Sequence, residues 1–136
     1  MTWRRAALAL VFIWFFFGGL GHFAWSNTFT HVVPSWVPYP RAVNLFTGVC
    51  DIAGAIGVLW PRTRRLAGYA LILYCLCVWP VHFDMVTHAE QYARIGLPVL
   101  WLRLLLQPVL MAIIWFAAVK KPVTAADRLQ QGPVAP

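Results

Sequence analysis

Five polar side chains suited to acid–base or anion-holding chemistry, His22, Asp51, His82, Arg103 and Gln107, stand inside or at the rim of strongly apolar segments. An ionisable group at membrane depth costs at least about 2.5 kcal/mol on insertion scales, so it normally faces a bundle interior and has a partner or a task. A carboxylate and an imidazole can move protons, and a guanidinium can hold an anion. Helical spacing groups these residues into stripes: Asn44, Gly48, Asp51 and Ala55 on one helix, Arg103 and Gln107 on another, and Gly18 with His22 on a third. Small residues beside the polar ones allow close helix approach. An Asp51–Arg103 ion pair is expected, because a guanidinium on its long stem spans several ångströms.

Asp84, His88, His31 and Cys50 are secondary candidates. His82 and Asp84 point to opposite sides of a helix, whereas Asp84 and His88 share a face, so the pattern predicts no metal site. His22 and His82 on two helices form the one pattern that a haem could use. Nothing else in the chain supports haem, which makes it the weaker reading. Cys75 and Cys77 are two apart and cannot share a helical face. Buried, inert thiols are the expectation, with Cys50 kept open because Asp51 is its neighbour.

The elements that must position these residues follow from composition. With 61% hydrophobic and 11% charged residues and a mean hydropathy of +0.69, the chain is not a soluble globule. The pattern predicts an all-α integral membrane four-helix bundle in one domain, residues 1–119. Its spans run over about 6–25, 42–60, 66–85 and 97–119, and residues 120–136 form a disordered cytoplasmic tail. A cleaved signal peptide is not expected, because bulky Trp14, Phe15, Phe16 and Phe17 crowd the first apolar stretch. Prolines 34, 38 and 40 rule out a continuous helix between the first two spans, and Trp36 and Tyr39 suit the headgroup level. That connection reads as a cap over the bundle mouth. Pro80 predicts a kink in the third span.

The net charge of +7 does not signal a nucleic-acid partner. Eight of the eleven Lys and Arg residues fall at the amino terminus, between the second and third spans, or in the tail. That asymmetry predicts both termini on the cytoplasmic side, and it brings the candidate site residues into the outer half of the membrane. The lipid bilayer is then the first partner.

Several segments resemble the DoxX family of small bacterial membrane proteins: Gly18-Gly19-Leu20-Gly21-His22-Phe23, the Val33 to Pro40 cap, Gly48-Val49-Cys50-Asp51-Ile52-Ala53-Gly54, the Trp60 to Gly68 turn and Leu102-Arg103-Leu104-Leu105-Leu106-Gln107. The resemblance covers about residues 12–118. It departs at two places, with Asp51 where that family usually has Glu and His82 where it commonly has Asn. It implies a multi-pass protein of the bacterial inner membrane, linked in some relatives to thiosulfate and quinone oxidation and to redox partner subunits. More distant relatives assist the assembly of other membrane proteins. The leading expectation is thus a redox-associated subunit that binds a quinone or a small sulfur compound. The alternative is a non-enzymatic accessory protein whose polar cluster only fixes helix packing.

Overall fold

The computed structural model describes residues 2–120; the expected disordered tail lies almost wholly outside them. The described residues contain helices and turns and no strand. The chain forms α1 (Thr2–Ala24), the short α2 (Ser26–Thr30), α3 (Pro40–Leu59), α4 (Arg64–Thr87), a 3-10 turn (Ala89–Tyr92) and α5 (Leu97–Ile114), which ends in a π-helical turn (Trp115–Val119). Four helices are long and apolar enough to cross a membrane: Trp3–Ala24, Pro40–Leu59, Arg64–Thr87 and Leu97–Val119.

Their limits differ from the sequence expectation in instructive ways. The first helix begins at Thr2 rather than near residue 6, so Arg4 is a helical residue and not a flank. Its guanidinium donates to the Ala117 carbonyl at 2.9 Å and the Lys120 carbonyl at 2.8 Å, closing the last turn of the fourth apolar helix. Arg64 does the same for α3, donating to the Val58 and Leu59 carbonyls at 2.9 and 3.1 Å. A helix C-terminus leaves carbonyls unpaired and carries partial negative charge, so a cation there satisfies both needs. Arginines that the sequence assigns to topology thus also cap neighbouring helices. The connection after α1 starts with the five-residue α2, which precedes the first proline of that loop, and Pro40 occupies the first turn of α3. Neither Pro80 nor Pro108 ends its helix.

Two helix contacts bear on the site. In the first, α1 crosses α3 at Gly19 and Gly48. A Cβ added to Gly19 would lie 2.9 Å from the Gly48 carbonyl oxygen, and one added to Gly48 would lie 2.8 Å from the His22 Cβ. Only glycine permits that approach, which replaces weak apolar attraction between helices with close backbone contact. In the second, α4 packs along α5, where the Gln107 amide nitrogen donates to the Cys75 carbonyl at 3.0 Å in the buried interface.

α3 also packs on α4, and all four long helices meet at the basic end of the molecule. There Leu8, Val11, Ala55, Val58, Leu71 and Ile114 form the main core, with Val11, Val58 and Ile114 fully buried. A smaller cluster of Met85, Tyr92 and Leu100 closes the far end, where Val32 of the loop packs against it. Between core and cap the helices line a partly open cavity.

Candidate functional site

Residues from α1, α3, α4, α5 and the loop at 32–37 line a cavity of about 740 Å³. Its wall is chiefly apolar and aromatic, with Trp14, Phe15, Phe29 and Phe46 among the contributors. Against that wall stand His22, Asp51, Tyr74, His82, Arg103 and Gln107. All five leading candidates from the sequence therefore meet in one space.

His22 is fixed from several sides. Its ring lies 4.5 Å, centroid to centroid, from that of Phe29 in α2. Its Nδ1 lies 2.7 Å from Asn44 Oδ1, while Asn44 Nδ2 donates to the His22 carbonyl at 3.0 Å and to Ser26 Oγ at 3.2 Å. Asn44, only 2% exposed, thus pins the end of α1 to α3 and sets the His22 ring at the same time. On the opposite edge of that ring, Nε2 lies 3.7 Å from Asp51 Oδ2.

Asp51 does not pair with Arg103, contrary to the sequence expectation: the ion-pair partner within 4.0 Å is His22, and the described residues offer Arg103 no such partner. The reason is tertiary. α3 packs on α1 and α4, and α5 packs on α4, so Asp51 and Arg103 line different walls of the cavity. Asp51 is 5% exposed and its Oδ1 is enclosed without a hydrogen-bond partner among the described residues. A buried acceptor left unpaired costs about 1–3 kcal/mol, so this atom marks an unmet demand for a donor. Tyr74, the residue just before the Cys75 whose carbonyl Gln107 clamps, lines the wall beside Asp51.

On the other wall His82 is buried and its Nδ1 lies 3.3 Å from the Arg103 carbonyl oxygen. Gln107 lines the cavity, but its amide nitrogen is committed to the Cys75 carbonyl, which makes it a helix clamp before anything else. The expectation of buried thiols holds for Cys75 alone: Cys77, about 200° around the helix from it, is exposed, although both touch the cavity.

The secondary candidates lie elsewhere. His31 is exposed and off the cavity, and Cys50 is half-buried and off it as well. Asp84 and His88 do share a face, with Nδ1 3.4 Å from Oδ1. Asp84 Oδ1 also accepts the Trp36 indole N–H at 3.2 Å, which ties the cap loop to the end of α4. No group of three or more His, Cys, Asp or Glu side chains among the described residues is arranged to hold a metal ion.

Sequence reasoning missed Tyr74 and gave Asn44 only a place on a stripe. The signal for Asn44 was present: it lies seven residues from Asp51, two turns away on the same face. Tyr74 had a weaker one, since a phenol inside an apolar helix needs a polar neighbour when buried.

Comparison with known proteins corrects the family expectation. No curated protein and no solved structure matches the chain. The resemblance to DoxX is not upheld, because the family that matches is a different one. The segments that carried it are short glycine, proline and basic-turn patterns, which helix packing and membrane topology impose on unrelated bundles as well. Residues 8–118 match the family described as a domain of unknown function (DUF8561), and the chain belongs to that family.

Proposed function

We propose that this is a multi-pass protein of the bacterial inner membrane, with both termini cytoplasmic, that binds a lipid-soluble ligand with an oxygen-bearing ring head in its cavity. A quinone is the class that fits, and the protein then serves as a binding subunit beside redox partner proteins. The observation that carries the reading is the cavity of about 740 Å³, whose aromatic walls accompany a few convergent polar groups. That combination typifies small-molecule sites. The basic ends of the helices support the orientation, which brings the cavity into the outer half of the bilayer. A small sulfur anion would use Arg103 but leave the aromatic walls unused, so the ring-headed ligand is preferred.

Binding is read by titrating a short-chain benzoquinone into the protein in lipid nanodiscs. Trp14 and Trp36 line the cavity, so their fluorescence reports occupancy. Saturable quenching that weakens at least tenfold in Arg103→Leu is the expected result. Quenching that never saturates, or that is the same in the variant, refutes the reading. A strong Soret absorbance in the purified protein would instead favour haem.

The accessory reading has one observation in its favour: Asn44 and Gln107 both spend their amides on backbone carbonyls across helix interfaces. It expects the double variant Asp51→Asn with Arg103→Gln to fold and to keep its cellular function. The ligand-binding reading expects that variant to fold and be inactive.

A further inference from the structure

Hydrogen-bond inventory around the two histidines fixes which ring nitrogen carries the proton. A backbone carbonyl can only accept. The Asn44 atom 3.0 Å from the His22 carbonyl is therefore the amide nitrogen, and the atom 2.7 Å from His22 Nδ1 is the amide oxygen. Reversing the amide would set two acceptors against each other at the His22 carbonyl. Asn44 Oδ1 can only accept, so His22 Nδ1 bears hydrogen. The same logic applies to His82, whose Nδ1 faces the Arg103 carbonyl oxygen at 3.3 Å.

In neutral imidazole a proton on Nδ1 leaves a lone pair on Nε2. Both rings line the cavity. Neither Nε2 is among the enclosed, unpartnered side-chain atoms of the described residues, which are Asp51 Oδ1 and Trp79 Nε1. His82 Nε2 has no hydrogen-bond partner there and is not fully enclosed, on a ring that lines the cavity. His22 Nε2 stands 3.7 Å from Asp51 Oδ2, beyond hydrogen-bond length, and a ligand donor directed at this edge meets two acceptors at once.

We infer that the site selects the reduced, hydroxyl-bearing form of its ligand, a diphenol such as a benzoquinol, with His22 Nε2 and His82 Nε2 accepting its O–H groups. This rests on the ring-headed ligand proposed above. A dione offers only acceptors. It can take a hydrogen bond from Arg103 or Tyr74, but it meets both imidazoles lone pair to lone pair. A diphenol matches them, and its oxygens still accept from Arg103. The unpartnered Asp51 Oδ1 lies behind His22 as a further acceptor.

Three matched probes test this in nanodiscs: a short-chain benzoquinol, the corresponding benzoquinone, and the dimethyl ether of the quinol, which keeps the shape and loses both donors. Loss of a hydrogen bond to a buried acceptor weakens binding about tenfold. The quinol is expected to bind at least that much more tightly than the ether, and more tightly than the dione. Asn has an amide N–H near the position of Nδ1–H and nothing at Nε2, so His82→Asn and His22→Asn retain the structural donor and delete the acceptor. In each variant the quinol-to-ether ratio should fall toward one.

Ring-nitrogen NMR shifts of ¹⁵N-histidine-labelled protein read the tautomers without any ligand, and both are expected as Nδ1–H. Equal affinity for quinol and ether overturns the selectivity while leaving the quinone reading intact. An Nε2–H tautomer at either histidine overturns it at its source. Failure of all three probes to bind, with the tautomers as derived, removes the ring-headed ligand itself and the selectivity with it.

Discussion

Replacing Asn44 with Ala removes one side chain and, with it, three hydrogen bonds that hold the end of α1 and the start of α2 against α3. Side-chain hydrogen bonds between helices in a membrane average about 0.6 kcal/mol each, which gives about 2 kcal/mol for the set. The His22 Nδ1–H is left without its acceptor, and an unpaired donor in a part-buried setting adds roughly another 1 kcal/mol. A total near 3 kcal/mol changes the folding equilibrium constant about 150-fold. Reversible unfolding in mixed micelles of increasing SDS, followed by tryptophan fluorescence, measures that loss directly. A double-mutant cycle with His22→Ala isolates the pair, and a coupling of at least about 0.5 kcal/mol is expected for residues in contact. The ring-nitrogen NMR signals of His22 should also become a mixture of tautomers, since nothing else holds the Nδ1 proton. Stability within about 0.5 kcal/mol of the parent, with no coupling to His22, would refute the claim that Asn44 is the clamp.

Gly48→Ala would bring its new Cβ to 2.8 Å from the His22 Cβ, so the α1–α3 crossing must open. A loss of about 1–3 kcal/mol in the same SDS titration is expected, and Gly96→Ala, at a positive φ outside the bundle crossing, serves as a contrast because its cost is conformational and leaves His22 ligand contacts unaltered. Arg4→Gln should lower stability by about 0.5–1.5 kcal/mol through the lost C-terminal cap of the π-helical turn, whereas Arg5→Gln, an exposed neighbour, should stay within about 0.5 kcal/mol. Trp36→Phe keeps a ring in the cap but deletes its bond to Asp84, so ligand association and dissociation in stopped-flow quenching should both quicken while global stability changes by less than about 1 kcal/mol. Burial, and then the charge of Asp84, push the Tyr92 phenol up from its ordinary value. A folded-state value above the unfolded one near 10 means this tyrosine contributes its full stability below about pH 10 and loses it as pH rises through the folded value. Spectrophotometric titration should find Tyr92 ionising above the ordinary phenol value, and Tyr92→Phe should flatten the alkaline limb of stability.

The sequence by itself determined the number of long apolar helices and five of the polar residues that line the cavity. Hydrophobic runs bounded by proline, glycine and basic clusters are local signals, and a polar side chain in such a run must turn inward wherever its helix ends up. For that reason His22, Asp51, His82, Arg103 and Gln107 were legible as one group before any coordinate was known. Their partners were not. Which polar group faces which depends on the order of helices around the bundle, and two residues that share a depth can stand on different walls. Asp51 and Arg103 line the same cavity, yet the close α1–α3 crossing at Gly19 and Gly48 delivers Asp51 to His22 instead. Only tertiary structure could separate Asn44 and Gln107, which spend their amides on neighbouring backbones, from the imidazole Nε2 atoms, which make no hydrogen bond among the described residues. A hydrogen bond is satisfied over about 3 Å, and sequence spacing does not resolve positions on different helices to that distance.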